Sequence, residues 1–120
     1  MLNEIRSTLK SLDKAVYYGG VDLPDAINIW DYIVFARDNT QRTKNNTGYP
    51  DYFAVAIVNE EYIPEGFVDA VIDAMEGIPG VRLTDDGVGY EYTRKPNTKV
   101  IVETAHLTFA FPRKKCKNDE

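Results

Sequence analysis

One stretch of the chain decides the fold: WDYIVFARDNTQRTKNNTGYPDYFAVAIV, residues 30–58. Its two ends, Trp30–Ala36 and Tyr52–Val58, are dense in aromatic and β-branched residues, as β-strands are. The segment between them, Arg37–Asp51, contains no Val, Ile, Leu, Met or Phe and therefore cannot bury itself. A turn of about two residues would suffice to join an antiparallel pair. The pattern predicts two paired strands joined by a long polar β-hairpin, which we call the arm (residues 37–51).

The N-terminal residues carry the pattern of an amphipathic helix followed by a short strand. Apolar residues recur there at three- and four-residue steps: Leu2, Ile5, Leu9 and Leu12. This period predicts a helix that ends near Lys14. Val16–Tyr18 then reads as a strand, which the flexible pair Gly19-Gly20 closes.

The C-terminal half predicts a second helix and two more strands. Pro64 favours a helix start, and Gly77 favours its end. The buried stripe of this helix comprises Val68, Val71, Ile72 and Met75. Asp85-Asp86-Gly87 predicts a tight turn before a strand at Tyr90–Arg94, and Lys99–Phe111 forms a long final strand.

This order of elements predicts an α+β fold. We expect a single mostly antiparallel β-sheet with two α-helices packed on one face, from which the arm protrudes. At 120 residues the chain has the length of one domain. We therefore assign residues 1–112 to a single domain and the basic residues 113–120 to a disordered tail.

The overall composition excludes several classes of protein. Cys116 is the only cysteine, so there is no disulfide framework and we expect a reducing compartment. No apolar run has the length of a membrane span, and the charged N-terminus is unlike a secretory signal. We expect no membrane partner, and an intracellular protein unless it travels inside an assembly. Residues 1–112 carry 10 basic and 17 acidic side chains. Such a body disfavours nucleic-acid binding, because phosphate neutralisation supplies most of that affinity.

No residue pattern indicates catalysis, and we expect neither a cofactor nor a bound metal. His106 is the only histidine, and the sequence identifies no orienting carboxylate or nucleophile for it. A half-exposed histidine on a strand is the simpler interpretation. Cys116 has no partner cysteine or histidine base in its charged tail, and Gly-rich phosphate loops are absent.

Four acidic residues form a candidate surface on the second helix: Glu65, Asp69, Asp73 and Glu76. Their spacing places them along one side of the helix, where like charges repel each other and no lysine intervenes. Two interpretations stay open. The four form either a solvated helix face or an acidic surface that meets a basic partner or keeps DNA away.

The arm also has two interpretations. It is either a surface loop without a role, since long insertions cost little stability, or a contact element, since long loops in compact domains are often functional. Its side chains offer charge-assisted and amide hydrogen bonds and one aromatic group: Arg42, Lys44, Asn45, Asn46 and Tyr49. This set suits contact with a neighbouring subunit.

The chain resembles the tail-terminator and head–tail joining (neck) family of tailed-phage virion proteins. After an amphipathic first helix, five segments carry the resemblance: WDYIVFARDNT (Trp30–Thr40), YFAVAIV (Tyr52–Val58), AMEGIPGVRL (Ala74–Leu83), DDGVGYEYTR (Asp85–Arg94) and TFAFPRK (Thr108–Lys114). Together they span nearly the whole chain.

The resemblance implies a non-enzymatic subunit of a homo-oligomeric ring, commonly a hexamer, in the tail or neck of a virion that is assembled in the host cytoplasm. Its partners would be further copies of itself, the tail tube and the head connector, and DNA would pass through the lumen without specific binding. The alternative is a small binding or regulatory module that grips a protein partner with the arm. An enzyme is the third candidate, and nothing in the sequence supports it.

Overall fold

The computed structural model describes residues 1–20, 30–38 and 49–113. These ranges contain two helices and five strands. They are α1 (Leu2–Lys10), β1 (Ala15–Tyr18), β2 (Asp31–Arg37), β3 (Tyr49–Glu60), α2 (Phe67–Glu76), β4 (Arg82–Arg94) and β5 (Ile101–Arg113).

The five strands form one sheet in the order β1-β2-β3-β5-β4. β1 runs parallel to β2, and every other neighbouring pair is antiparallel. The predicted α+β class and the mostly antiparallel sheet are therefore confirmed. β1 and β4 are the two edge strands of this sheet.

Both helices pack on one face of the sheet, which we call the covered face. Alternate strand residues point to this face, and the helices cover them with apolar stripes at helical spacing. The residues that this packing buries most completely include Ile5, Leu9, Ile33, Phe35, Ile57, Val71, Met75, Leu107 and Phe109. The predicted two-layer arrangement is confirmed, since α1 and α2 share one core.

The other face of the sheet, the open face, carries a smaller apolar cluster. Tyr32, Val58 and Val102 are buried there, and Tyr17, Trp30 and Val34 pack around them. Neither of the two described helices covers this cluster. The rings of Tyr17 and Tyr32 meet edge to face, with centroids 5.7 Å apart. Burial, followed by the neighbouring Tyr17 hydroxyl, raises the pKa of Tyr32.

Two boundaries differ from the sequence prediction. α2 begins at Phe67, because Gly66 adopts a left-handed conformation (φ 85°) that a helical residue cannot share. The prediction that Pro64 opens the helix is therefore wrong. α1 ends at Lys10, and residues 11–13 turn before β1 begins.

Asp85-Asp86-Gly87 does not form the predicted turn between separate strands. It lies within β4, where the pairing moves from Leu83↔Phe109 to Val88↔Leu107. Four residues of β4 thus lie opposite the single residue Thr108, which is an enlarged β-bulge. Gly87 supplies the left-handed conformation (φ 75°) that this bulge needs. Asp-Gly favours a positive φ in bulges as well as in turns, so the sequence signal was ambiguous.

Candidate assembly surface

The arm leaves the sheet at the ends of β2 and β3. The last residue pair of the β2–β3 ladder is Arg37↔Phe53, and the Asp38 N–H donates to the Tyr52 carbonyl at 2.7 Å. β3 continues beyond this point to Tyr49, where it pairs with β5 alone. The sequence prediction drew the arm too wide, because Arg37 and Tyr49–Asp51 are strand residues. The central part of the arm stays a prediction.

Most of the candidate arm residues lie outside the described ranges. These are Arg42, Lys44, Asn45 and Asn46. Tyr49 is the first residue of β3, and its backbone pairs with Arg113 of β5. Cys116 also lies outside the described residues. A concave surface lies at the base of the arm, between the first residues of α1 and the strand ends at Asp38 and Asp51.

The four candidate acidic residues are all exposed, but they do not form one helical row. Glu65 precedes α2, while Asp69, Asp73 and Glu76 lie on it. The Glu76 carboxylate accepts a hydrogen bond from the Leu83 backbone N–H at 2.9 Å, so it joins the end of α2 to the start of β4. Among the described residues, no cation lies within ion-pair distance of the other three. Their charges therefore face solvent uncompensated.

A groove borders this acidic surface. It lies between the start of α2 and the covered face of β4 and β5. Glu103 lines this groove, and its carboxylate binds two elements at once. One carboxylate oxygen accepts from the Ile63 N–H at 2.7 Å, and the other accepts from the Tyr92 hydroxyl at 2.7 Å. The first bond fixes the connection from β3 to α2, and the second holds the Tyr92 side chain across β5. This hydrogen bond from a neutral phenol to a carboxylate raises the pKa of Tyr92.

Sequence reasoning did not identify the tyrosines of this groove. Tyr92 is 61% exposed and Tyr90 is 49% exposed, although both lie on the covered face of the sheet. α2 shares a groove with these two tyrosines but leaves about half of each side chain exposed. The sequence placed both tyrosines in the predicted strand Tyr90–Arg94, but it contained no signal for where the helix layer stops.

α1 carries positive charge on the side that is turned away from α2. Arg6 and Lys10 are exposed, and the Arg6 guanidinium lies 5.6 Å from the centroid of the Phe35 ring. The same ring contacts Tyr18 of the edge strand β1, at 5.1 Å between centroids. Arg6 therefore lies on the β1 side of α1. Lys14 points elsewhere, because its ammonium group binds Asp31 and lies 5.1 Å from the Phe67 ring.

His106 lies on the open face, as predicted for a strand histidine. Its Nε2 is 3.2 Å from a carboxylate oxygen of Glu91 on β4, and both side chains are exposed. No described nucleophile is paired with it. Within residues 1–20, 30–38 and 49–113, no three His, Cys, Asp or Glu side chains are placed to hold a metal ion. No described helix has the length and hydrophobicity needed to span a membrane.

The fold is similar to that of a chain from a solved virion, that of a native gene transfer agent particle. The TM-score is 0.52 at 18% sequence identity, and the match covers 95% of this chain and 91% of that chain. The two chains therefore share a fold over more than nine-tenths of each chain. No protein-family model matches the sequence, and no curated protein matches it either.

Proposed function

We propose that this chain is a structural subunit of a tailed-phage or phage-like virion and acts by assembly. The observation that carries the proposal is the fold shared with a virion chain over 95% of this sequence.

Within the virion, the proposed role is that of a tail terminator or neck protein. Copies of the chain form a ring, six in number as is common in the family it resembles. One face of the ring meets the tail tube, and the other meets the head connector. The arm, with Arg42, Lys44, Asn45, Asn46 and Tyr49, contacts the neighbouring subunit or the neighbouring ring.

The charge of the subunit suits a channel for DNA. The bulge residues Asp85 and Asp86 are exposed, and residues 1–112 carry 17 acidic against 10 basic side chains. A surface of this sign repels phosphates, so DNA passes through such a ring without being held by it.

Quantitative mass spectrometry of purified particles tests this function. Particles from cells that encode the chain should contain it at the copy number of one ring, far below that of the main capsid and tube proteins. A chain that is expressed in these cells but absent from density-purified particles would overturn the proposal. A chain that instead co-purifies with a host protein would support the binding-module alternative.

A further inference from the structure

We propose that copies of this chain join head to tail across their two sheet edges, and this inference rests on the proposed ring. One partner surface is the acidic flank, defined as β4 together with Glu65, Asp69 and Asp73. The other is the basic flank, defined as β1 together with Arg6 and Lys10. The acidic flank of each copy binds the basic flank of the next copy.

The first step is that both edges are free to pair. β1 and β4 each have one strand neighbour in the described part of the chain. No described strand pairs with their outer backbone N–H and C=O groups, and such groups can pair with a strand of another copy. On β4 the arginines, Arg82 and Arg94, lie at the two ends, so no cation separates the acidic side chains from the middle of this edge.

The second step is that opposite charges lie beside the two edges. Val68 and Asp69 of α2 line the groove whose other wall includes Tyr90 and Tyr92, so this side of α2 faces the β4 edge. On α1, Arg6 lies on the β1 side of the helix, over the Phe35 ring. Lys10, one helical turn further on, shares this side of α1.

The third step is that strand direction brings the two flanks together. β1 and β2 run in one direction and β4 runs in the opposite direction. In a ring whose axis is parallel to the strands, every copy keeps its strand direction and turns the same sheet face outward. β1 of one copy then meets β4 of the next in antiparallel orientation. The helices of both copies lie on the same side, so the basic side of α1 faces the acidic side of α2.

The fourth step excludes the symmetric alternative. A two-fold pairing of β4 with β4 would place Asp69 and Asp73 of one copy against the same residues of its partner. Like charges held together across an interface cost free energy, whereas opposite charges favour docking and fix its orientation. A head-to-tail contact repeats from copy to copy, and it forms a ring when the rotation between copies closes, which is the assembly that the proposed function requires.

Charge reversal on each flank tests the inference. The variants are Arg6→Glu/Lys10→Glu, Asp69→Lys/Asp73→Lys, and the combination of all four changes. Lys99→Glu is the matched control for Lys10→Glu, because Lys99 is also exposed but lies in the turn between β4 and β5. Sedimentation velocity measures self-association of the full chain at low salt. Thermal melts establish that each variant is folded, which matters for Arg6 because it packs on Phe35.

We expect self-association to weaken in each double variant, with a dissociation constant Kd at least about tenfold higher, because like charges then meet at the interface. The Lys99→Glu variant should associate as the wild type does. An equimolar mixture of the two double variants should associate again, as should the fourfold variant, since opposite charges face each other in both. Higher salt should weaken wild-type association by screening.

Several results would overturn the inference. They are wild-type association in both double variants, no recovery in the mixture, or a wild-type chain that stays monomeric at low salt up to about 1 mM, where even weak contacts are populated. A different result would refute the proposed virion function. A chain that associates through these flanks but is absent from purified particles would refute the function and leave this contact standing.

Discussion

At the scale of single residues, Glu60 holds three segments together at one end of the sheet. Its carboxylate accepts from the Trp30 N–H at 2.8 Å and from the Lys95 ammonium at 2.7 Å. It thereby connects β3 to the start of β2 and to the turn between β4 and β5. The hydrogen bond from Lys95, then that from Trp30, lowers the pKa of Glu60 below its ordinary value of 4.5.

This lowered pKa predicts a loss of stability in acid. A carboxyl whose pKa is lower in the folded state stabilises the fold above its unfolded-state pKa of 4.5, and this contribution disappears as the pH falls through the lowered value. Glu60→Gln should therefore be less stable than the wild type at pH 7, and the difference should shrink at pH 3. Urea denaturation at the two pH values measures it. A difference that is the same at both would contradict the assignment.

Gly80 lies where a neighbouring ring leaves no room for a side chain. Its φ is +89°, and a Cβ atom on it would lie 2.8 Å from Cε1 of the Phe111 ring. Gly80→Ala should lower the free energy of unfolding by about 1–3 kcal/mol, through left-handed strain and displacement of the ring. Gly89→Ala is the control, because its Cβ would meet nothing within 4 Å. Equal losses for both variants in chemical denaturation would show that this constraint is absent.

At the scale of elements, α1 is held by a buried apolar stripe. Leu9 is fully buried between α1 and the sheet, whereas Leu12 is only partly buried after the helix ends. Leu9→Ala should lower the free energy of unfolding by about 2–5 kcal/mol, since it leaves a cavity in the core. Leu12→Ala should lower the free energy of unfolding by clearly less. If chemical denaturation gave the reverse order, the packing of α1 described here would be wrong.

The arm can be removed without touching the strands that carry it. Tyr52 lies beside Asp38, and the three residues from Tyr52 back to Tyr49 span about 10 Å. Four Gly and Ser residues in place of residues 39–48 therefore reach from β2 to β3. We expect this variant to melt as the wild type does and to fail to assemble, as judged by light scattering and particle incorporation. Unchanged assembly would remove the arm from the contact.

Much of the element order could be predicted from local patterns. Alternation in residues 30–58 and helical spacing in Leu2–Leu9 depend only on which side chains are buried, and both predictions are confirmed. The start of α2 was missed because Gly66, which has no side chain, overrides the helix-start signal of Pro64 through its backbone conformation. The β4 bulge was missed because a Gly with positive φ serves turns and bulges alike.

The candidate surface was less predictable, because it depends on residues far apart in the chain. Glu103 meets the backbone of Ile63, 40 residues away, and only the β3–β5 register brings them together. The acidic residues of α2 could be found from their spacing. Predicting that they lie beside the β4 edge, at the opposite edge of the sheet from Arg6, would have required the strand order.

At the scale of the whole molecule, the sheet has two chemically different edges. One is bordered by Arg6 and Lys10, and the other by Asp69 and Asp73. A subunit with unlike edges favours a repeating contact over a symmetric pair. This asymmetry connects the fold to the proposed ring, since the helix layer supplies the charges and the sheet supplies the edges.

Negative-stain electron microscopy of the purified chain, alone and mixed with tail tubes that lack it, tests the ring most directly. We predict rings of uniform diameter on the tube ends, built from a fixed number of copies, and their loss in the Asp69→Lys/Asp73→Lys variant. Tubes that stay bare, together with a chain that remains monomeric in their presence, would contradict the proposal that this protein is a ring-forming virion subunit.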